Sequence, residues 1–442
     1  MVAEYFSCLE EAVKWLDSNV DLEKKGFALK RTPTLGRIQK FLDALSNPEK
    51  SAPVIHVTGT NGKGSTVRVL SALLINLGFR VGTFTSPDLG NVTERIALNL
   101  ANIPDSDFAD TLSEIRLLQS FIGIKLSRFE LLTALAFMYF ANEGTNVNVI
   151  EVGLGGTWDA TNVVEPEVAI ITNVGLDHTE ILGPTKVHIA NDKSGIFKKG
   201  CTALIGDEDP EIVALLEERA NDIGASEVLV RDRDFGIVSD LLAVGGHYLE
   251  LFTKYGSVRE MFVPLRGHYQ SLNVSMAVAA CETFLGSTID EGILRETVEN
   301  VTIPGRLDVV GRNPLVVLDG AHNVDGALSL GFALREDFSE PKTVHLVVGM
   351  LRGRDPVDIL KALNLDGRVR SVHVAKPVST RAMDTNILIS AVREVFDLEP
   401  KVYSFPVEAF KGAFSLSNAQ DMILVTGSLY VVGDVLKSTK VV

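Results

Sequence analysis

The chain has 442 residues, 46% hydrophobic and 22% charged, the make-up of a globular protein with room for two or three domains. Its 57 acidic and 42 basic side chains leave a formal charge of −15, which argues against non-specific nucleic-acid or anionic-membrane binding and requires an anionic substrate to be held by local cations and metal. No secretory signal is visible at Met1-Val2-Ala3-Glu4, and the longest strongly apolar window, residues 131–141, is shorter than the roughly 20 residues that span a bilayer and reads as a buried helix.

In chain order, residues 4–17 and 34–45 pattern as amphipathic helices. The run Val54-Ile55-His56-Val57 then reads as a strand that breaks into the turn Gly59-Thr60-Asn61-Gly62-Lys63-Gly64-Ser65. A helical segment follows, with Val69, Leu70, Leu73, Leu74 and Leu77 on one face and Gly78 at its end. Residues 80–85, 147–152 and 168–173 pattern as strands, and 107–119 and 128–142 as helices, an alternation that implies a parallel, doubly wound sheet. Between 226 and 263 the rhythm changes, and Gly245-Gly246 between two apolar stretches signals a hairpin in a small antiparallel region. Residues 271–286 read as a helix. A Pro-Gly turn near 298–306 marks a boundary, after which apolar strands starting near Leu315, Thr343, Val369, Lys401 and Met422 make a second α/β domain. Cys8, Cys201 and Cys281 are scattered without a CxxC pair; they form neither a disulfide framework nor a zinc site, fit a reducing cytosol, and read as packing residues.

A glycine-rich turn between a strand and a helix aims backbone N–H groups and a helix N-terminus at an anion, and Lys63 adds a point charge for terminal phosphates. Other residues are less specific on their own. Glu151 ends the strand at 147–152, where it is either a solvated edge residue or a ligand for magnesium or a metal-bound water. His178, after Asp177 at the end of the next strand, can be a metal ligand, a base or a satisfied surface group, and Lys193 follows in IANDKSGI. The same choice holds for Asp319 and His322 in DGAHN, at the carboxyl end of the second domain's first strand, an edge where ligands bind in open α/β sheets. Arg306 in PGRL is either a phosphate contact between domains or a salt-bridge partner.

Taken together these stretches resemble the folylpolyglutamate synthase and dihydrofolate synthase family of the Mur ligase superfamily. The resemblance runs over nearly the whole length: HVTGTNGKGS (56–65), TSPDL with ERI (85–89, 94–96), EVGLGG with DATN (151–156, 159–162), ITNVGLDHTEILG (171–183), NDKSGIFKKG (191–200), LRGHYQSLN (265–273), PGRLD (304–308), DGAHN (319–323) and TGSLYVVG (426–433). It implies a P-loop ATPase-like domain over 1–300, with a parallel sheet and a small antiparallel region, and a Rossmann-like glutamate ligase domain over 301–442.

The implied activity is ATP-dependent amide ligation: a pteroyl carboxylate takes the γ-phosphate, and the amino group of L-glutamate attacks the acyl phosphate. By the same resemblance, residues Gly59, Thr60, Asn61, Gly62, Lys63, Gly64 and Ser65 hold the triphosphate. Ser86, Glu151 and His178 match magnesium ligands, and Lys193 matches a lysine carried as a carbamate in relatives. Gln270, Asn273, Arg306, Asp319 and His322 match nucleotide- and phosphate-side positions, and His322 and Ser428 also come near the incoming glutamate. Asp159 corresponds to an acid on the pterin side, and Phe129 is a candidate for stacking on the ring. ATP and Mg2+ are the implied cofactors, with a monovalent cation such as K+ as an addition. The partners are small molecules (folate or dihydropteroate, L-glutamate, ATP), without nucleic acid or membrane, in a cytoplasmic monomer.

The chain departs from the family pattern at Thr157, Asp88 and Ile303, where Arg, His and Trp are usual, and GMLRGRDP (349–356) lacks the usual Asp-Lys-Asp run. These changes leave the ATP and magnesium positions intact and bear on which acid is preferred. Alternatives are a Mur-type ligase for another acid, a bifunctional enzyme, or a P-loop NTPase switch. The last lacks a guanine-reading NKxD motif and gives the second domain no role.

Overall fold

The computed structural model describes residues 5–19, 35–338, 342–365 and 367–439. Parallel strands buried on both faces need near-continuous apolar runs, and such runs build the first sheet. Val54–Thr58 and Val147–Glu151 are buried at every position, and they pair in parallel with each other at the centre. The sheet has eight strands in the spatial order Ala101–Asn102, Ile96–Leu98, Val81–Phe84, Val147–Glu151, Val54–Thr58, Val168–Ile171, Thr202–Ile205 and Glu227–Val230. From Val81–Phe84 onward all pairs are parallel, and the first two strands are an antiparallel edge.

Helices cover both faces. On one, Lys63–Asn76 and His268–Leu285 pack side by side over a shared apolar core. On the other, Arg128–Glu143 and Asp105–Ile122 cover one half, and Lys186–Lys193 and Pro210–Ile223 the other. The apolar window at 131–141 lies within Arg128–Glu143, whose start is fixed by a capping box between Ser127 and Glu130. The antiparallel region is a three-stranded sheet, Gly236–Ala243, Gly246–Thr253 and Gly256–Val263, which sends Leu249, Leu251, Met261 and Val263 into the first of those cores.

The second sheet has six strands, in the order Asp308–Arg312, Leu315–Leu318, Met422–Thr426, Val344–Val348, Val369–Ala375 and Lys401–Tyr403, all parallel except the first. Val324–Glu336, Pro356–Leu363 and Thr385–Phe396 cover one face, and Pro406–Phe414 with Leu429–Thr439 the other. Both sheets are therefore doubly wound, as expected.

Some expectations shift. The lead-in helices run Leu9–Ser18 and Gly36–Ala44; residues 4 and 34, where they are expected to start, lie outside the described residues. Cys201 and Cys281 are buried, but Cys8 is exposed at the first helix's N-cap position and is not a packing residue. Among the described residues no helix is long and apolar enough to cross a membrane.

Candidate functional site

The central strands end at one edge of the first sheet, and the chain leaving each of them turns toward a cleft of about 700 Å3 that is open to solvent. Gly59, Thr60, Asn61, Gly62, Lys63 and Gly64 form one wall, at the N-terminus of the helix Lys63–Asn76. The turn needs its glycines. A Cβ on Gly59 would lie 1.8 Å from Thr172 Oγ1, and one on Gly62 (φ +83°) 2.3 Å from Asn273 Oδ1. Lys63 Nζ donates to the carbonyls of Gly59 and Thr60 at 3.0 and 3.4 Å, so its charge is folded back over the loop. Burial lowers its pKa, against the attraction of Glu151 and Asp177.

Ser86, Glu151, His178 and Lys193 face the same cleft. Glu151 Oε2 accepts a hydrogen bond from the Ser86 N–H at 3.1 Å. Burial pushes its carboxyl up to about 6, with Lys63 opposing. His178, in the left-handed region at φ +51°, is pulled down to about 4 by burial against the attraction of Asp177, so its imidazole is neutral at pH 7. Lys193 is pulled down to about 7 by burial and by Lys63, and its amine makes no hydrogen bond or ion pair with the described residues. Glu151 and Lys193 are thus both shifted toward their neutral forms.

Among the described residues, no group of three or more His, Cys, Asp or Glu could hold a metal by itself. The donors at the cleft are mixed: a hydroxyl, a carboxylate and a neutral imidazole. Hard oxygen donors beside a loop built for phosphates suit a magnesium ion that shares its shell with phosphate oxygens. A buried carboxylate whose charge is disfavoured is a fit for such a cation.

The second domain brings Arg306 and His322 to the opposite wall. His322 Nδ1 donates to Gly320 O at 2.8 Å, and its Nε2 stands 3.5 Å from Asp177 Oδ2. Burial and then Arg354 lower its pKa. Asp319 lies behind this wall, accepting from Leu307 N, Ala321 N and Tyr269 Oη at 2.8–3.2 Å. Ser428 is buried at the start of the last helix, where its Oγ accepts from Tyr430 N, and the adjacent Gly427 N–H donates to Ala321 O.

Several expected residues stand behind the cleft rather than on it. Ser65 is buried in the first turn of its helix. Asn273 donates to Gln270 Oε1 at 2.9 Å and buttresses Gly62, while Gln270 Nε2, wholly buried, has no hydrogen-bond partner among the described residues. Asp159 shapes the GLGG loop: its oxygens accept from Leu154 N, Thr161 N and Thr161 Oγ1. The Phe129 ring packs on Phe84 at 5.8 Å between centroids, and a Cβ on Gly153 would meet it at 2.5 Å. Of the departures, Asp88 forms an ion pair with the buried Arg95 at 2.7 Å, Thr157 donates its hydroxyl to Asp192 O, and Ile303 joins the first core.

Asp177 was not among the expected site residues. It lines the cleft and accepts from Asn323 Nδ2 at 3.2 Å and Arg354 Nη2 at 3.2 and 3.3 Å. Burial alone would raise its pKa, but the His322 contact and Arg354 hold it well below the carboxylate range. The available signal was its place beside His178 at a strand end.

Residues 57–281 match the Mur ligase middle domain family, and residues 305–429 the Mur ligase glutamate ligase domain. The dihydrofolate synthase/folylpolyglutamate synthase of Mycobacterium tuberculosis is 36% identical over 385 residues, which are 82% of this chain and 78% of the relative. The Bacillus subtilis protein of the same name is 30% identical over 445 residues, 98% of this chain and all of the relative. Among solved structures, M. tuberculosis folylpolyglutamate synthase complexed with ADP superposes with a TM-score of 0.90 at 33% identity, over 98% of both chains. FolC from E. coli in complex with DHPP and ADP superposes with a TM-score of 0.85 at 28% identity, over 97% of this chain and 98% of the other.

Proposed function

The chain belongs to the Mur ligase family and, within it, to the folylpolyglutamate and dihydrofolate synthases, and from that premise we propose how its cleft carries out ATP-dependent addition of L-glutamate to a folate. The observation that carries the reading is the convergence on one cleft of a phosphate loop, Glu151, His178 and Lys193 from one domain, with Arg306 and His322 from the other. The unit over 1–300 binds ATP, and the unit over 301–442 closes on it with the groups that meet glutamate.

In the first half-reaction a folate carboxylate oxygen attacks the γ-phosphorus of ATP, giving an acyl phosphate and ADP. In the second, the glutamate amine, having lost its ammonium proton, attacks the acyl carbon; the amide C–N bond forms and inorganic phosphate leaves. Two carboxylates and a triphosphate repel one another, so the site must neutralise charge. Lys63 moves from its loop carbonyls to the terminal phosphates, and Arg306 faces them from the second domain. Mg2+, held by Ser86, Glu151 and His178, supplies further positive charge when bound. Lys193, whose amine is pulled down to about 7 and so is neutral in good part near pH 7, takes up CO2 as a carbamate with release of a proton and becomes an additional acidic group toward that metal. Gln270 and Asn273 support the nucleotide side from behind the phosphate loop, Asp319 backs the phosphate side that His322 lines, and Ser428 stands behind the glutamate side with His322. Asp159 and Phe129 shape the pterin end. The enzyme acts as a monomer on small-molecule substrates.

A substrate panel tests the reading: dihydropteroate, tetrahydrofolate and methylene-tetrahydrofolate, each with ATP and glutamate, followed by product mass. A product heavier by one glutamyl unit, with ADP release that needs both the acid and glutamate, is the expected result. ADP formation at full rate with neither acid present would remove the ligase reading in favour of an NTPase switch. Loss of activity in Lys193→Ala that short-chain acids partly restore supports the carbamate, and a loss without rescue counts against it.

A further inference from the structure

Three of the first-domain loops that bring phosphate or metal groups to the cleft each also send one side chain across to the second domain. In the phosphate loop it is Asn61. Its backbone is fixed to its own domain, the N–H donating to Asn173 Oδ1 at 2.9 Å and the carbonyl accepting from Thr172 Oγ1 at 2.6 Å. Its side chain makes a reciprocal amide pair with Asn323, at 3.3 and 3.1 Å. In the loop of His178 it is Asp177, held by Asn323 and Arg354. In the loop of Ser86 it is Leu89, which packs into the apolar cluster under the last helix. A Cβ on Gly433 would lie 2.0 Å from Leu89 O, so this helix meets the loop at a contact that only glycine permits. Lys437 Nζ completes the seat by donating to Gly90 O at 2.7 Å.

These three side chains lie next to the groups they would control: Asn61 precedes Lys63 by two positions, Asp177 immediately precedes His178, and Leu89 follows Ser86 by three. We propose that Asn323, Arg354 and the Leu89 seat are positioning residues of the second domain, which draw the phosphate loop, the His178 loop and the Ser86 loop into register only when the domains are together. The inference rests on the ligase reading, and it assigns closure a task beyond excluding water. An acyl phosphate formed in an open cleft is lost to hydrolysis, so alignment that depends on closure confines phosphoryl transfer to the closed state. None of the three contacts uses a group that reacts.

Asn323 also caps the helix Val324–Glu336, its Oδ1 accepting from Gly326 N at 2.8 Å. Asn323→Ser keeps a capping oxygen but loses the reach to Asn61 and Asp177, and so separates positioning from folding. The test compares Asn323→Ser, Leu89→Ala and the double variant in the full chain. Without nucleotide or metal, amide exchange at 60–63 and at 86–90 is followed; with substrates, phosphate released is compared with glutamylated product. Each single variant is expected to speed exchange in both loops, by about tenfold, because the seats act together. Turnover falls about 10- to 100-fold, phosphate release exceeds product, and the double variant loses no more than the worse single.

Exchange altered only in the loop next to each substitution would overturn the proposal, as would one-to-one coupling with turnover within about twofold of wild type. A wild-type enzyme that forms ADP without the acid or glutamate removes the ligase reading instead, and the exchange result then judges the contacts by themselves.

Discussion

Glu151 and His247 are both buried charged-type residues near the junction of the two domains, yet burial ends differently for them. Glu151 is pushed up to about 6, toward its neutral form, and its neighbour Lys193 is pulled down to about 7. His247 stands between Asp240 at 2.6 Å and Asp337 of the second domain at 3.2 Å. Burial works against its charge, but the hydrogen bonds to the two carboxylates outweigh that and push it up to about 9; the same pairing holds Asp240 well below the carboxylate range. At the small sheet the protein supplies its own counter-charges. Around Glu151 and Lys193 it withholds them, although Asp177 across the cleft has Arg354; this leaves room for the charges of a ligand and is the pattern that separates a reaction site from a structural ion cluster.

The sharpest test of the contrast is Lys63→Ala. Turnover should fall roughly 1,000-fold or more, because the charge over the terminal phosphates is gone, while the melting temperature of the ligand-free protein holds or rises. Near-normal turnover would take the loop out of the mechanism. Glu151→Gln comes next. A loss of turnover on the order of 100-fold is expected, together with ligand-free stability that is unchanged or higher by up to ~1 kcal/mol, since a buried charge with little compensation is removed. A clear destabilisation in urea melts would instead place Glu151 in the same class as Asp240.

His247→Ala should behave in the opposite sense, lowering stability by about 2 kcal/mol as Asp240 and Asp337 are left facing each other, with turnover within about threefold of wild type. The smallest effect is in pH. The folded pKa of His247 lies above its unfolded value of about 6.5, so its contribution is complete below that value and disappears as pH rises through about 9. Urea melts between those limits should show this decline in the wild type and a flatter profile in His247→Ala. Equal slopes would show that the ion cluster does not govern alkaline stability.

The alternation of apolar runs with glycine turns made most of the two sheets readable, because a parallel strand covered on both faces must be apolar throughout. Three strands at or next to the sheet edges were not readable in the same way, although the edge strand Lys401–Tyr403 was. Ile96–Leu98 and Ala101–Asn102 are joined through Asn99 and Leu100, both in the left-handed region at φ +50° and +59°. A leucine there gives none of the glycine signal by which such turns are recognised. Asp308–Arg312 is short and only partly buried, so its pattern is faint.

At the cleft, the phosphate loop and Ser86, Glu151, His178 and Lys193, which the fold brings together, were picked out by their turn or strand-end positions or by the family motifs. Asp177, Asn323 and Arg354 were not, because their importance lies in a contact between stretches 146 to 177 positions apart, and nothing local encodes that distance. Phe129 illustrates the converse. An aromatic in the right place looks like a stacking platform, but its ring is already engaged with Phe84 and Gly153.

The pairing of Asn61 with Asn323 has a consequence for how the enzyme cycles. Two carboxamides carry no net charge, so their contact forms and separates without taking up a proton or displacing a counter-ion. Unlike the ion pairs on the surface, it is indifferent to ionic strength, whose screening length is about 8 Å under physiological conditions. Its strength therefore stays the same while the charge inside the cleft changes from triphosphate to diphosphate and free phosphate. This contact, unlike the Asp177–Arg354 ion pair beside it, does not have to re-equilibrate with the electrolyte at every turnover.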